Sequence, residues 1–222
     1  MRIGGFIKQS LIDWDGILSA VIFTKGCNFR CGYCHNPALV IPQLIRTCKD
    51  IPENEILNYL EKRIGWIEGV VITGGEPTIQ PDLIPFLEKI KATGNKIKLD
   101  TNGANPAILT SVIDRGLVDY IAMDIKNILS VKEYAKITPD ISDYQMGNIR
   151  QSVELIRNSG IKYHFRTTLI SDIHTAEIVT NLKELFQNDS FVLQQFRPNA
   201  TDGIISDYAL QTAQTELRAQ NI

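Results

Sequence analysis

No stretch of this sequence is long and apolar enough to span a bilayer, and its opening residues, MRIGGFIKQS, lack the apolar run of a secretory signal. The expected location is therefore the cytoplasm. Charge of one sign is also missing. The formal net charge is −2, so no global field marks nucleic acid or an acidic membrane surface as a partner, and neither is expected. No linker, low-complexity tract or internal repeat interrupts the chain, and residues 1–222 read as a single domain. Cysteine is scarce as well: there are four, Cys27, Cys31, Cys34 and Cys48. In a reducing compartment they are not expected to form a disulfide framework. Three of them fall within eight residues, which is the pattern of a metal or redox site.

What the chain does have is alternation. Apolar, β-branched runs at 18–24, 69–73, 96–100, 119–124, 162–169 and 191–196 read as strands buried on both faces. Helical patterns lie at 53–65, 81–93, 106–116, 145–158, 174–187 and 206–220. Pro81-Asp82 and Asn105-Pro106 supply start signals, and Gly94, Gly116 and Gly160 supply stops. Strands alternating with helices imply an α/β fold with a parallel sheet and right-handed crossovers. Both a doubly wound sheet and a (β/α) barrel satisfy that pattern. A full eight-stranded barrel takes about 250 residues, so an incomplete barrel of six units suits this length better. In either case ligands should gather at the carboxyl ends of the strands.

The first predicted strand runs into Lys25-Gly26-Cys27-Asn28-Phe29-Arg30-Cys31-Gly32-Tyr33-Cys34-His35-Asn36-Pro37. Three thiolates spaced C-x3-C-x2-C can hold three irons of a cubane cluster and leave the fourth open, where a closed ferredoxin site uses four cysteines. Catalytic metal sites keep such an open position. Gly26 and Gly32 would give the loop freedom to wrap a cluster, and Arg30 would either offset thiolate charge or be solvated. The competing reading is zinc completed by His35 or Cys48, although no second cysteine knuckle exists.

With Tyr33 just before the third cysteine, the motif resembles the signature of the radical S-adenosylmethionine (SAM) superfamily. The resemblance implies an incomplete (β/α)6 radical SAM barrel and a [4Fe–4S] cluster on Cys27, Cys31 and Cys34. It also implies a SAM molecule chelated to the open iron and cleaved reductively to methionine and a 5′-deoxyadenosyl radical. Tyr33 and His35, inside the motif, are then candidate SAM neighbours. Thr73-Gly74-Gly75-Glu76-Pro77 matches the family's GGEP segment, so Gly74, Gly75, Glu76 and Pro77 are placed against the SAM amino group.

Asp100-Thr101-Asn102-Gly103 and Asp124-Ile125-Lys126 resemble the DTNG and D-[LI]-K segments of glycyl-radical-enzyme activases. That likeness assigns Asp100, Thr101, Asn102, Asp124 and Lys126 to SAM binding, with a monovalent cation as a further ligand of the carboxylates. Helix capping is the alternative role for Asp100 and Asn102. Arg166 lies in an apolar run and needs a partner, either the SAM carboxylate or a strand-end Asp. Phe196 and Arg197 would flank the adenine. Cys48 is read as a free thiol, Trp14 and Trp66 as packing residues, and His164 and His174 as non-ligands.

Within the superfamily, the Gly4-Gly5-Phe6 opening and the Cys-His-Asn-Pro run resemble anaerobic ribonucleoside-triphosphate reductase activating proteins. The substrate would then be a glycine of a partner glycyl radical enzyme, with flavodoxin or ferredoxin as electron donor. The alternative is a small-molecule enzyme such as a 7-carboxy-7-deazaguanine synthase. A non-catalytic iron–sulfur electron carrier would have no need of the GGEP and DTNG segments.

Overall fold

The computed structural model describes residues 1–196. Seven strands form one sheet: β1 (Ile3–Ser10), β2 (Ser19–Thr24), β3 (Gly69–Gly74), β4 (Lys96–Thr101), β5 (Tyr120–Asp124), β6 (Lys162–Leu169) and β7 (Phe191–Gln195). They lie in strict sequence order, with β2 to β7 parallel and β1 antiparallel to β2. An order without reversal is that of a barrel wall, since a doubly wound sheet changes direction at a switch point. β1 and β7 do not pair, so the wall is open and the expectation of an incomplete barrel holds.

The helices are α1 (Pro37–Val40), α2 (Pro42–Ile45), α3 (Glu53–Glu61), α4 (Leu83–Ala92), α5 (Pro106–Asp114), α6 (Val131–Tyr134), α7 (Asp143–Asn158) and α8 (Ala176–Leu185). The longest, α7, starts two residues before its predicted position. Ser142 and Gln145 form a reciprocal capping box there, satisfying two otherwise orphaned amides. Met146, Ile149, Val153 and Ile156 recur at helical spacing and are buried against the sheet. The predicted helix at 206–220 lies outside the described residues.

Successive strand residues face opposite sides of the sheet, and the core divides accordingly. Ala20, Ile22, Val70, Ile72, Ile97, Leu99, Ile121, Met123 and Phe165 join the helices in one large cluster. On the inner face Val21 and Val71 meet Trp14, which plugs the lower end of the wall. Burial of each such aliphatic side chain stabilises the fold by roughly 1.5–3 kcal/mol, an upper bound because the unfolded chain is already partly collapsed. Trp14 is thus a packing residue, whereas Trp66 is 75% exposed, contrary to its expected packing role.

β1 is absent from the sequence reading because Gly4-Gly5 and the polar Lys8-Gln9 hide its strand character. The glycines have a purpose in the fold. A side chain at Gly4 would collide with Leu39 and Lys25, and one at Gly5 would press on Phe23. Among the described residues no helix is long and apolar enough to cross a membrane.

Candidate functional site

The upper ends of β2 to β7 enclose a cavity of about 140 Å³ that opens to solvent. Its first wall is the cysteine loop. Phe29, 3% exposed, roots the loop in the main core. Arg30 turns its guanidinium onto the loop's own carbonyls, Cys27 at 2.7 Å and Phe29 at 2.9 Å. Gly26 has φ 89°, where a side chain would be strained. Gly32 needs no such freedom, for its φ is not positive and a side chain there would meet nothing. The expectation holds for the first glycine and not for the second.

Cys27, Cys31 and Cys34 all line the cavity as free thiols. Burial pushes Cys27 up to about 12, with the Glu76 carboxylate adding to the effect, and Cys34 up to about 11. Cys31 is raised by burial too. Buried thiols of this kind stay protonated unless a cation compensates them, and bound metal deprotonates a coordinating thiol outright. The described residues contain no group of three or more His, Cys, Asp or Glu placed around a single metal ion. A multi-iron cluster distributes its thiolates over different irons and does not need such convergence. Cys48 stays apart, its thiol directed at the Gly4 carbonyl at 3.4 Å. Its own carbonyl and Asp50 anchor the buried Lys25.

The second wall is the turn after β3. The Gly75 amide donates to Thr24 O at 2.9 Å and the Glu76 amide to Gly26 O at 2.8 Å, so this turn lies directly against the cysteine loop. Gly74 has φ 113°, and a side chain at Gly75 would overlap the Gly26 carbonyl. The glycine pair is therefore what lets the two loops touch. Glu76 is 1% exposed. Its carboxylate accepts from Thr78 N (3.0 Å), Thr78 Oγ1 (2.6 Å), Thr101 Oγ1 (2.8 Å) and Asn102 N (2.7 Å). Burial raises its pKa against these four donors. Pro77 sits behind the cavity and opens a short 3-10 turn.

The third and fourth walls carry the acidic groups. Asn102 donates to the Asn28 side chain at 2.8 Å and lies 3.8 Å from Cys27 Sγ. Its own oxygen accepts from Ala104 N. It braces the loops and does not cap α5, whose cap position is Asn105. Arg166 on β6 ion-pairs with both Asp124 on β5 and Asp100 on β4, and Lys126 reaches Asp124 at 2.8 Å. The two cations hold the Asp124 carboxyl well below its ordinary range although burial opposes them. A strand-end Asp is thus the partner that buried Arg166 needed. A monovalent cation would have to share these same oxygens with Arg166 and Lys126. Asp100 Oδ1 is buried with no hydrogen bond, 3.7 Å from the Lys98 ammonium.

At the last wall Phe196 stacks on His35, with centroids 5.2 Å apart, and meets Tyr33 edge-on at 6.0 Å. Burial lowers the pKa of His35, as do Lys126 and Arg166. Tyr33 Oη is buried and has no hydrogen-bond partner among the described residues. Arg197 lies outside the described residues. The sequence reading left out Asn28, which holds Asn102, and Thr168 and Gln194, which bond each other at 2.8 Å and line the cavity. Asn28 stood inside the cysteine motif and could have been marked there. His164 is bonded to Tyr120, and His174 to backbone, so both have structural partners.

The donor set fits an iron–sulfur cluster and a polar organic ligand. Three free thiols share one cavity, and two buried polar atoms of residues that line it, Asp100 Oδ1 and Tyr33 Oη, have no hydrogen bond among the described residues. Buried groups in this state have hydrogen-bonding capacity left for a polar ligand.

Comparison with known proteins agrees. The profile of the Radical SAM superfamily matches residues 21–185. A Methanocaldococcus jannaschii protein named "Putative glycyl-radical enzyme activating enzyme" is 30% identical over 88% of this chain and 80% of its own length. The 7-carboxy-7-deazaguanine synthase of Neisseria meningitidis serogroup B is 33% identical over 54% of this chain, which spans about half (49%) of that relative. Among solved structures, Streptococcus suis SuiB bound to S-adenosylmethionine superposes with a TM-score of 0.58 at 16% identity, covering 88% of this chain and 43% of that one. At that identity the likeness concerns the fold.

Proposed function

The chain belongs to the radical SAM superfamily, and from that membership we propose that it activates a partner enzyme by generating a glycyl radical. The observation that carries the cofactor part is the meeting of three thiols, the GGEP turn and the Asp100, Asp124 and Lys126 side chains at one cavity. In this reading Cys27, Cys31 and Cys34 hold a [4Fe–4S] cluster. Gly74 to Glu76, Tyr33, His35, the DTNG segment, Asp124, Lys126, Arg166 and Phe196 surround SAM, and residues 1–222 act as one domain. A cluster held there would supply the single electron needed for reductive cleavage of SAM to methionine and a 5′-deoxyadenosyl radical, the species that would remove a glycine α-hydrogen.

The protein's own part is placement. Glu76 locks the GGEP turn to the DTNG segment, so the two walls hold a fixed spacing. Lys126 and Arg166, held by Asp124 and Asp100, present cationic donors to the cavity that suit the carboxylate of a methionine moiety. The half-buried rings of Tyr33 and Phe196, packed edge to face, would cover one side of the ligand. The electron would come from a flavodoxin or ferredoxin.

The activase role is supported by the Methanocaldococcus relative, which aligns with most of both chains. The match to a 7-carboxy-7-deazaguanine synthase favours the second reading, a small-molecule substrate. Anaerobic reconstitution followed by SAM and dithionite tests both. 5′-Deoxyadenosine and methionine are expected in amounts that depend on the three cysteines. Addition of the glycyl radical enzyme from the same cell should yield a glycyl radical detectable by electron paramagnetic resonance. Conversion of a deazapurine precursor without that signal would select the second reading, and zinc bound with no four-iron cluster formed would end both.

A further inference from the structure

The segment leaving β5 has no regular secondary structure, yet the amides and carbonyls of Ile125 and Lys126 are all engaged. Ile125 N donates to Arg166 O at 2.8 Å, and Ile125 O accepts from Thr167 Oγ1 at 2.7 Å. Lys126 is held differently, by two side chains from opposite directions. Its amide donates to Tyr134 Oη at 3.0 Å, and its carbonyl lies 2.9 Å from His174 Nε2. Tyr134 is wholly buried at the end of α6, and His174, 7% exposed, sits just before the Thr175 cap of α8.

The partners fix the state of the imidazole. A carbonyl only accepts, so Nε2 must carry the proton that Lys126 O receives. The Ile170 amide only donates, at 2.9 Å to Nδ1, so Nδ1 must be bare. His174 is therefore the neutral Nε2–H tautomer in this structure. A ring held on both sides is a rigid strut between the β6–α8 connection and Lys126. Fixing both ends of the Lys126 peptide restricts the direction in which its side chain leaves the backbone. That side chain meets Asp124, itself paired with Arg166.

We propose that His174 and Tyr134 are positioning residues that clamp the Lys126 peptide and thereby aim the Lys126 ammonium at the cofactor cavity. This inference rests on the reading of Lys126 as part of the SAM site. Outer partners of this kind commonly change ligand affinity by about 10- to 100-fold when removed.

The test measures SAM dissociation constants by equilibrium dialysis on the anaerobically reconstituted protein, with iron content and thermal melting as controls. Lys126→Ala should weaken SAM binding about tenfold. His174→Leu should weaken it to a similar extent while retaining iron, and His174→Gln, whose amide can donate to Lys126 O and accept from Ile170 N, should recover to within about threefold. The His174→Leu/Lys126→Ala pair should bind no more weakly than Lys126→Ala alone, because both changes remove one interaction. Normal SAM affinity in Lys126→Ala would overturn the assignment of Lys126. Loss in Lys126→Ala with normal affinity in His174→Leu, or additive losses in the pair, would overturn the clamp alone. Should His174→Leu not fold, Tyr134→Phe removes the other jaw with the ring intact and should also weaken SAM binding; an unchanged value there overturns the clamp. Independently of any cofactor, long-range 15N–1H spectra at pH 8 should show His174 protonated at Nε2, and protonation at Nδ1 would contradict the geometry.

Discussion

The Asn102 side-chain amide donates to the Asn28 side-chain oxygen at 2.8 Å and reaches within 3.8 Å of Cys27 Sγ, tying the loop after β4 to the middle of the cysteine motif. The bond spans 74 residues of sequence and is one of the few cross-links that fix where Cys27 points. Asn102→Ala should lower iron occupancy after reconstitution and speed release of iron to a chelator by about tenfold. Asn102→Asp should behave like Ala, since a carboxylate cannot donate to Asn28 and adds negative charge beside the thiol. Iron and sulfide analysis checks both.

Gly75 and Gly32 provide a matched pair of tests. A methyl group at Gly75 strikes the Gly26 carbonyl, which is backbone and cannot step aside, whereas at Gly32 it meets open space. Gly75→Ala should destabilise the protein by about 2–3 kcal/mol and impair cluster loading. Gly32→Ala should stay within about 0.5 kcal/mol of the parent. Urea unfolding of the two variants, with iron content, separates them.

Glu76 satisfies four protein donors from inside the core, so its removal has a structural cost besides any effect on SAM. Glu76→Ala leaves those donors buried and unpaired, and a loss of about 3 kcal/mol is expected in chemical denaturation. Wild-type stability in this variant would show that the carboxylate is not the knot joining the second and third walls.

His164 gives a pH signature. Burial, followed by Arg166 and Lys98, lowers its pKa to about 4, against the opposing carboxylates of Asp100 and Asp124. A histidine held neutral in the fold takes up its proton more readily when unfolded. Its contribution is therefore complete above the ordinary value near 6.5 and is lost as pH falls from there towards 4. Because the ring is partly exposed, the screened effect is about 1–2 kcal/mol. Denaturation curves at pH 8, 6 and 5 should show this decline, and His164→Gln should flatten it.

Much of this could be read from the chain because the signals are local. Continuous β-branched runs such as Val70-Val71-Ile72 announce buried strands, and the cysteine spacing announces its loop. β1 escaped notice because Gly4 and Gly5 make room for side chains from elsewhere in the fold. The start of α7 was legible after all, in Ser142 and Gln145 at capping-box spacing. Trp66 departs from its expected packing role because the exposure of a tryptophan leaves no mark in sequence. What could not be read is contact at a distance. Arg166 announced a need for a partner, but only the register of β4, β5 and β6 decides that it finds both Asp100 and Asp124.

The uninterrupted order of the strands bears on how the site is assembled. Each parallel strand docks on the one made just before it, so the sheet can grow in the direction of synthesis with each new pairing adjacent to the last. The cysteine loop belongs to the first crossover, whereas the turns that brace it follow β3 and β4, and Arg166 arrives only with β6. A nascent chain therefore exposes its three thiols before it owns the walls that shelter them. Metal delivered at that stage would meet a flexible, hydrated loop, and an enclosed site becomes available only once the later strands have left the ribosome.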